Sequence, residues 1–316
     1  MNLRDLFVTP PPEVALAIDA GRVAGARLAW RGAAPVVAAH AVETLPEGAV
    51  VPALAALNLP DVGVVAAAVG RVLGTLGRPR RVALVVPDAV GKVSLVRFEQ
   101  VPAKDADLAA LVRWQIKKSA PFPIDEAVVS FTEGAAAADG GREFVVTAAR
   151  ADIIAQYEEA CRAAGAHAGL VDLATCSVIN GVLAAPGAAT GDWLLVHLTR
   201  ASTTLAVVRD GHLIFFRNRA EDAEGTLADL VHQTAMYYED RLAGHGFGRV
   251  LLAGAAVVPG GGDALRKNLE ERLGLGVEAV DPRATVSLAD RIGASPALLD
   301  TLAPLVGLLL RERKAA

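Results

Sequence analysis

The chain has little from which to build a disulfide framework, a metal site or a nucleic-acid surface. Of its 316 residues two are cysteine, Cys161 and Cys176. Cys161 shares a helical apolar stripe with Ile153, Tyr157 and Ala164, which reads as a buried, reduced thiol rather than half of a disulfide or a metal ligand. No Lys/Arg run interleaved with aromatics occurs, and a net charge of −4 with pI near 5.9 argues against a phosphate-backbone binder. No apolar stretch approaches the ~20 residues that span a bilayer, and even Leu298 to Leu310 is interrupted by Asp300. The start, MNLRDLFVTPPP, has no long apolar core and no small-residue cleavage site, so the chain is expected to stay in the cytoplasm. Its Thr-Pro-Pro-Pro can neither continue a helix nor join a central strand. Leu3, Leu6 and Phe7 ahead of it form either one apolar docking turn or a frayed terminus.

What the chain does have is apolar material and a pattern that occurs twice. A hydrophobic content of 53% supplies a core for each of two lobes. Trp193 to Arg219 reads as three short strands in a meander, and Glu13 to Ala41 is its weaker twin, with Asp19 aligned on His197 and Arg31-Gly32 on Asp210-Gly211. Each copy ends its second strand in a two-residue turn whose Gly supplies positive φ. Each is followed by a helical segment (Asp61 to Gly77; Ala220 to Gly244) and a short apolar strand (Val82 to Val86; Val250 to Ala253). Packing two such halves brings the turns Asp19 to Ala24 and His197 to Ser202 face to face across a cleft. That arrangement resembles the actin-like fold, in which two hairpin turns cradle a nucleotide's phosphates.

A section without a twin lies between the copies: strand Lys92 to Val101, helix Ala103 to Ser119, an extended Pro segment, strand Ala127 to Glu133, turn Asp139-Gly140-Gly141, strand Arg142 to Ala149 and helix Ala151 to Gly165. It reads as an inserted α+β subdomain. Leu108, Leu111, Val112 and Ile116 give its first helix an inward stripe, with Arg113, Lys117 and Lys118 facing out. Trp114, at the edge of that stripe, either flanks the core or anchors a partner. Ala166 to Val171 returns to the first lobe as a strand. Asp172 then reads as the N-cap of a helix over Leu173 to Leu183, or as a catalytic carboxylate; no neighbouring acid, base or His accompanies it, which favours the cap. The expected organisation is a tail (1–12), a first lobe (13–91 and 166–190) around the insert (92–165), and a second lobe (191–316). In that second lobe Leu227, Leu230, Val231, Thr234 and Tyr238 place one helical face on the sheet. The Gly-rich junction from Gly254 through Pro259-Gly260-Gly261-Gly262 into a helix over Asp263 to Leu273 either receives an adenosine or phosphate or is a surface loop.

Several stretches together resemble the PilM family of type IV pilus assembly proteins, relatives of the division protein FtsA within the actin-like ATPase fold. They are WQIKKSAPFPIDEAVVSF (Trp114 to Phe131), Val208-Arg209-Asp210-Gly211, LLAGAAVVPGGGDALRKNLEERLGLGVEAVDP and the terminal APLVGLLLRE. The resemblance runs from about Glu13 to the C-terminus and implies an α/β fold of duplicated actin-like (ribonuclease H-like) lobes, with an inserted α+β subdomain in the first lobe. It further implies a cytoplasmic scaffold, peripheral at the inner membrane through its partners. That scaffold captures the tail of a PilN-like bitopic membrane protein in a groove between first lobe and insert, and couples other inner-membrane pilus components to motor ATPases. An extended tail adding along exposed backbone needs no catalytic residue. The cytoplasmic domain of a type II secretion protein is a competing reading, although such chains continue into a membrane span and this one stops at Ala316.

Departures from the family concern the nucleotide cleft. Where the family's first turn reads roughly Asp-Ile-Gly-Ser-Ser-Ser, this chain has Asp19-Ala20-Gly21-Arg22-Val23-Ala24. His197-Leu198-Thr199 stands for Asp-Ile-Gly, which removes a carboxylate that Mg²⁺ would want and puts a Cβ where a phosphate calls for Gly. Gly254-Ala255-Ala256 stands for a Gly pair. The expected site is therefore a degenerate nucleotide cleft of Asp19, Gly21, Arg22, His197, Thr199, Arg200, Gly254 and Ala255. ATP remains a candidate ligand there, Mg²⁺ binding is weakened, and no catalytic or metal-ligating residue is expected. Arg22 and Arg200 either converge on an anion such as a nucleotide phosphate or form salt bridges to Asp19 or another local acid. A working ATPase or sugar kinase on the same fold would need a cleft carboxylate as base, for which Asp19 and Asp172 are the candidates.

Overall fold

The computed structural model of the chain describes residues 11–136, 140–188, 190–220, 226–258 and 262–314. The apolar turn expected at Leu3 to Phe7, the turn residue Asp139 and Pro259 to Gly261 of the Gly-rich junction lie outside these residues.

The first meander is β1 (Val14–Asp19), β2 (Arg22–Arg31) and β3 (Ala34–Thr44), followed by α1 (Val62–Thr75) and β4 (Arg81–Val86). Next come β5 (Gly91–Phe98), α2 (Asp105–Ile116), β6 (Ala127–Ala136), β7 (Arg142–Arg150), α3 (Ala151–Ala163), β8 (His167–Leu173) and α4 (Ala174–Leu183). The second meander, β9 (Asp192–Leu198), β10 (Ser202–Arg209) and β11 (His212–Ala220), leads into α5 (Leu227–Arg241), β12 (Arg249–Ala253), α6 (Gly262–Leu273), β13 (Val277–Ala279), β14 (Ser287–Leu288) and α7 (Pro296–Lys314).

Three sheets result, ordered β14-β3-β2-β1-β4-β8, β11-β10-β9-β12-β13 and β5-β7-β6. The two large ones share one plan. The meander strands pair antiparallel, and the two later strands add parallel to the first. The hairpin glycines take the left-handed conformation that tight turns demand, Gly32 at φ +63 and Gly211 at φ +83. Strands β1, β4, β9 and β12 are nearly continuous apolar runs because both their faces are covered.

Asp61 caps α1 by accepting the Gly63 and Val64 N–H groups, and the helix packs Val65, Val69 and Val72 on one face of the first sheet. Helix α3, grouped with the insert on sequence, buries Ile153, Tyr157 and Cys161 in that same core. Burial pushes the Cys161 thiol up to about 12. The other face of the first sheet carries small residues, Ala15, Ala24, Ala26 and Ala83, and receives Leu302, Leu305, Val306 and Leu309 of α7.

Two expectations for α2 need correcting. Arg113 does not face out: its guanidinium donates to the carbonyls of Ile124 (3.1 Å) and Ala127 (3.4 Å), because the Pro segment folds back over the helix and brings those acceptors to it. Trp114, one residue on and so turned about 100° around the axis, is 67% exposed rather than flanking the core.

The two lobes share α7. Leu302 and Leu305 lie in the first-lobe core, whereas Ala303 packs with Trp193, Leu195 and Leu251 of the second. Where α7 crosses α4 the backbones touch: a Cβ on Gly307 would stand 1.8 Å from the Ser177 carbonyl oxygen. Gly307→Ala should therefore lower stability by about 1–3 kcal/mol through overpacking. Gly293→Ala, in open space, serves as control. Urea midpoints that coincide for the two variants would remove the close crossing from the account.

Candidate functional site

The turns that follow β1 and β9 face one another across one cavity. In the first turn Asp19 accepts the N–H groups of Gly21 (2.9 Å) and Arg22 (3.1 Å), and its other oxygen takes the Arg22 Nε at 3.1 Å. Arg22 Nη1 donates onward to Thr301 Oγ1 of α7 at 2.9 Å. Arg22 is thus engaged in the local salt bridge. In the second turn Thr199 closes on itself, its hydroxyl donating to the Ser202 carbonyl at 2.9 Å and accepting the Ser202 N–H at 3.1 Å. Arg200 reaches across to the first turn, its stem so close to Gly21 that a Cβ there would lie 2.8 Å from Cδ.

The third element is Gly254, at φ +75, where a Cβ would meet the Leu198 carbonyl oxygen at 1.9 Å; only glycine fits. Its N–H and that of Ala256 are taken by the two carboxylate oxygens of Asp300, at 3.0 and 2.9 Å. Asp19, Arg22, His197, Thr199, Arg200 and Gly254 line one cavity, with Gly21 beside it. Ala255 does not line it and packs instead on the second-lobe core. The cavity holds about 50 Å³, against ~300–1,000 Å³ for pockets that take a drug-sized ligand.

Behind the cleft lies a buried polar network that no motif announces. Asp88 follows β4 and Pro87, and its side chain is wholly buried. It accepts the Thr175 N–H at 2.9 Å, the Thr204 hydroxyl at 2.7 Å and the Thr175 hydroxyl. Thr175 gives its one proton to Asp88, so at 2.7 Å it accepts from His197 Nδ1, which fixes the neutral tautomer with Nδ1 protonated. Asn218 donates to Thr204 at 2.8 Å. Burial holds the His197 pKa below its ordinary value, against the pull of Asp88. A neutral imidazole therefore stands in the second turn, at the position that the internal repeat aligns with Asp19 of the first.

Asp172 does not cap α4. It is the last but one residue of β8, accepting the Leu173 N–H at 2.8 Å and pairing with Arg311 Nη1 at 2.6 Å, while Asp88 takes the Thr175 N–H at the helix start. Burial raises the Asp172 pKa and Arg311 opposes the rise.

A larger concavity, about 330 Å³, opens between the first lobe and the insert. Its floor is one face of the small sheet: Val128, Ser130 and Thr132 of β6 beside Val145, Thr147 and Ala149 of β7. Its wall is β8 with Cys176 and Ile179 of α4, and the β10–β11 turn, Gly211 to Leu213, closes it from the second lobe. Two strand edges border it, since β8 ends the first sheet and β6 ends the small one. Asp172, Arg311 and Asn180 supply a polar end to an otherwise apolar wall. Among the described residues no cluster of His, Cys, Asp and Glu could hold a metal ion, and no helix is long and apolar enough to cross a membrane.

Asp88, Thr175, Thr204, Asp300, Thr301 and the groove lining were not legible as site residues. The available signals were a lone acid just past the apolar run Val82 to Val86 and Pro87 (Asp88) and another inside an apolar helix (Asp300).

Among known proteins, the family model described as type IV pilus assembly protein PilM matches residues 18–241. The solved PilM-PilN type IV pilus biogenesis complex aligns with a TM-score of 0.80 at 19% identity, covering 96% of this chain and 99% of that one. The cytoplasmic domain of EpsL, an inner-membrane component of the Vibrio cholerae type II secretion system, aligns at 0.47 and 11% over 96% and 94%. The ethanolamine utilization protein EutJ from Carboxydothermus hydrogenoformans aligns at 0.47 and 10% over 96% and 90%. No curated protein sequence matches. At these identities the structural likeness of the first shows the fold, two actin-like lobes.

His197 makes the network sensitive to pH. Its folded pKa is depressed, so the unfolded chain binds the extra proton first; stability is complete above the unfolded value of about 6.5 and is lost as pH falls below it, by up to about 1.4 kcal/mol per pH unit. His197→Asn, whose amide can keep the bond to Thr175, should flatten this part of the stability profile measured by urea unfolding. Parallel profiles for parent and variant would show that another group titrates.

Proposed function

Because the chain belongs to the PilM family of type IV pilus assembly proteins, we propose that it is a non-enzymatic scaffold that captures the cytoplasmic tail of a PilN-like membrane protein. The groove between first lobe and insert carries this reading: among the described residues it offers strand edges on β8 and β6 with no further strand paired to them, and apolar and hydroxyl side chains between them. An extended tail adds as a further strand, and every second side chain enters the concavity. Capture holds the protein at the cytoplasmic face of the inner membrane, and the surface left open is available to other pilus components and motor ATPases. The lobes and insert divide the labour, one sheet of the insert serving as the floor for the tail.

Hydrolysis has no part in this reading. A catalytic cleft would need carboxylates for Mg²⁺ and backbone N–H groups for phosphate. Here Asp19 is engaged with Arg22, the second acid is replaced by His197, and Asp300 covers the N–H groups of Gly254 and Ala256. Arg22 accordingly serves the packing of the turns.

Fluorescence anisotropy with a labelled peptide of the cytoplasmic tail of the PilN-like protein from the same genome tests the capture. Val128→Asp, an exposed change on the groove floor, should weaken binding at least about tenfold, as expected for a charge set in an apolar contact. Unaltered affinity would move the tail elsewhere. Steady phosphate release from Mg-ATP by the purified protein would instead favour an ATPase or sugar-kinase-type enzyme.

A further inference from the structure

Helix α7 touches both places just described. At its first turns two consecutive residues bond to opposite lobes. Asp300 takes the N–H groups of Gly254 and Ala256 in the second lobe, and Thr301 accepts Arg22 from the first-lobe turn. The Thr301 hydroxyl is oriented for that task, since its own proton goes to the Ala297 carbonyl at 2.7 Å. Farther along, roughly 16 Å at 1.5 Å per residue, Arg311 of the same helix pairs with Asp172 at the polar end of the groove. The groove is also closed by the second-lobe turn Gly211 to Leu213, so its width depends on how the lobes are set.

We propose that α7 is a built-in latch: Asp300 and Thr301 hold the two lobes at one angle without a bound nucleotide, and through Arg311 and the Gly211 to Leu213 turn that angle keeps the tail groove formed. The second half rests on the tail-capture reading; the first half does not. In a nucleotide-bridged cleft the ligand ties the loops together, whereas here one helix does so with a carboxylate and a hydroxyl. Rigid helical geometry carries the setting from cleft to groove.

Hydrogen–deuterium exchange and peptide anisotropy on the full chain test the latch, comparing wild type, Asp300→Ala and Thr301→Val. The latch requires Asp300→Ala to speed exchange at β8 and at residues 211–213, with α2 unchanged, and to weaken the labelled tail peptide about fivefold or more, the low end of ordinary allosteric coupling. Thr301→Val should shift both readouts in the same direction. Wild-type binding of the peptide with no change in the variants overturns the coupling while leaving tail capture intact. Failure of the wild type to bind overturns capture, and the latch is then decided by exchange alone: unchanged protection at 211–213 and 254–256 in Asp300→Ala rejects it. Asp300→Asn, which keeps one acceptor oxygen, replaces the alanine variant if that one does not fold. Mg-ATP added to wild type should leave exchange at all these positions unaltered, and a protective effect there would refute a latch that works without nucleotide.

Discussion

The carboxylate of Asp88 is the constraint to which the two lobes answer. Burying an unpaired carboxylate costs several kcal/mol even after relaxation, so the fold is compatible with this acid only where donors surround it. Those donors come from both halves: Thr175 at the start of α4, Thr204 on β10, and through Thr175 the ring of His197 on β9. Sliding or opening one lobe would strand the acid, and each lost donor leaves a buried polar group unsatisfied at about 1–3 kcal/mol. Apolar packing between lobes tolerates small rotations; a buried carboxylate with directional partners does not. The network thus adds a directional constraint to the contact between the duplicated halves.

Size of side chain complements that directional control. Alanines on one face of the first sheet let α7 lie close to it, and the Gly307 crossing lets α7 lie close to α4. With the helix drawn in this far, Thr301 reaches the first turn and Asp300 the Gly254 junction, which a bulkier interface would hold apart. The alanine-rich composition, which on its face says only that the chain is apolar, is what permits one helix to serve two lobes.

Much of this architecture was legible because it is local. The two meanders, their Gly turns, the insert between the halves and the apolar stripes of α3 and α5 are all written in periods of two or 3.6 residues and in turn chemistry. The cleft loops followed from the internal repeat, since aligning Asp19 with His197 forces them to face. What escaped was long-range. An acid ahead of a helix looks the same whether it caps that helix or, like Asp172, turns to an arginine 139 residues away. Arg113 was assigned to solvent by helical phase, but a folded-back Pro segment supplied it with carbonyls that no local pattern reveals. Asp88 and Asp300 are single acids in apolar surroundings, and their partners belong to other elements.

The two concavities differ in how much bonding capacity they leave open. A binding site keeps unmet bonding capacity for its ligand, and a structural contact spends it internally. In the cleft three polar sets are matched internally: Asp19 with Arg22, Thr199 with Ser202, Asp300 with the junction N–H groups. In the groove the backbone edges of β8 and β6 have no strand beside them among the described residues, around a concavity several times larger in volume. An exposed strand edge is a liability that proteins ordinarily cover or charge. Two such edges flanking one apolar trough have the form that a strand from another chain would fit, and the internally bonded turns of the cleft lie in the frame around it.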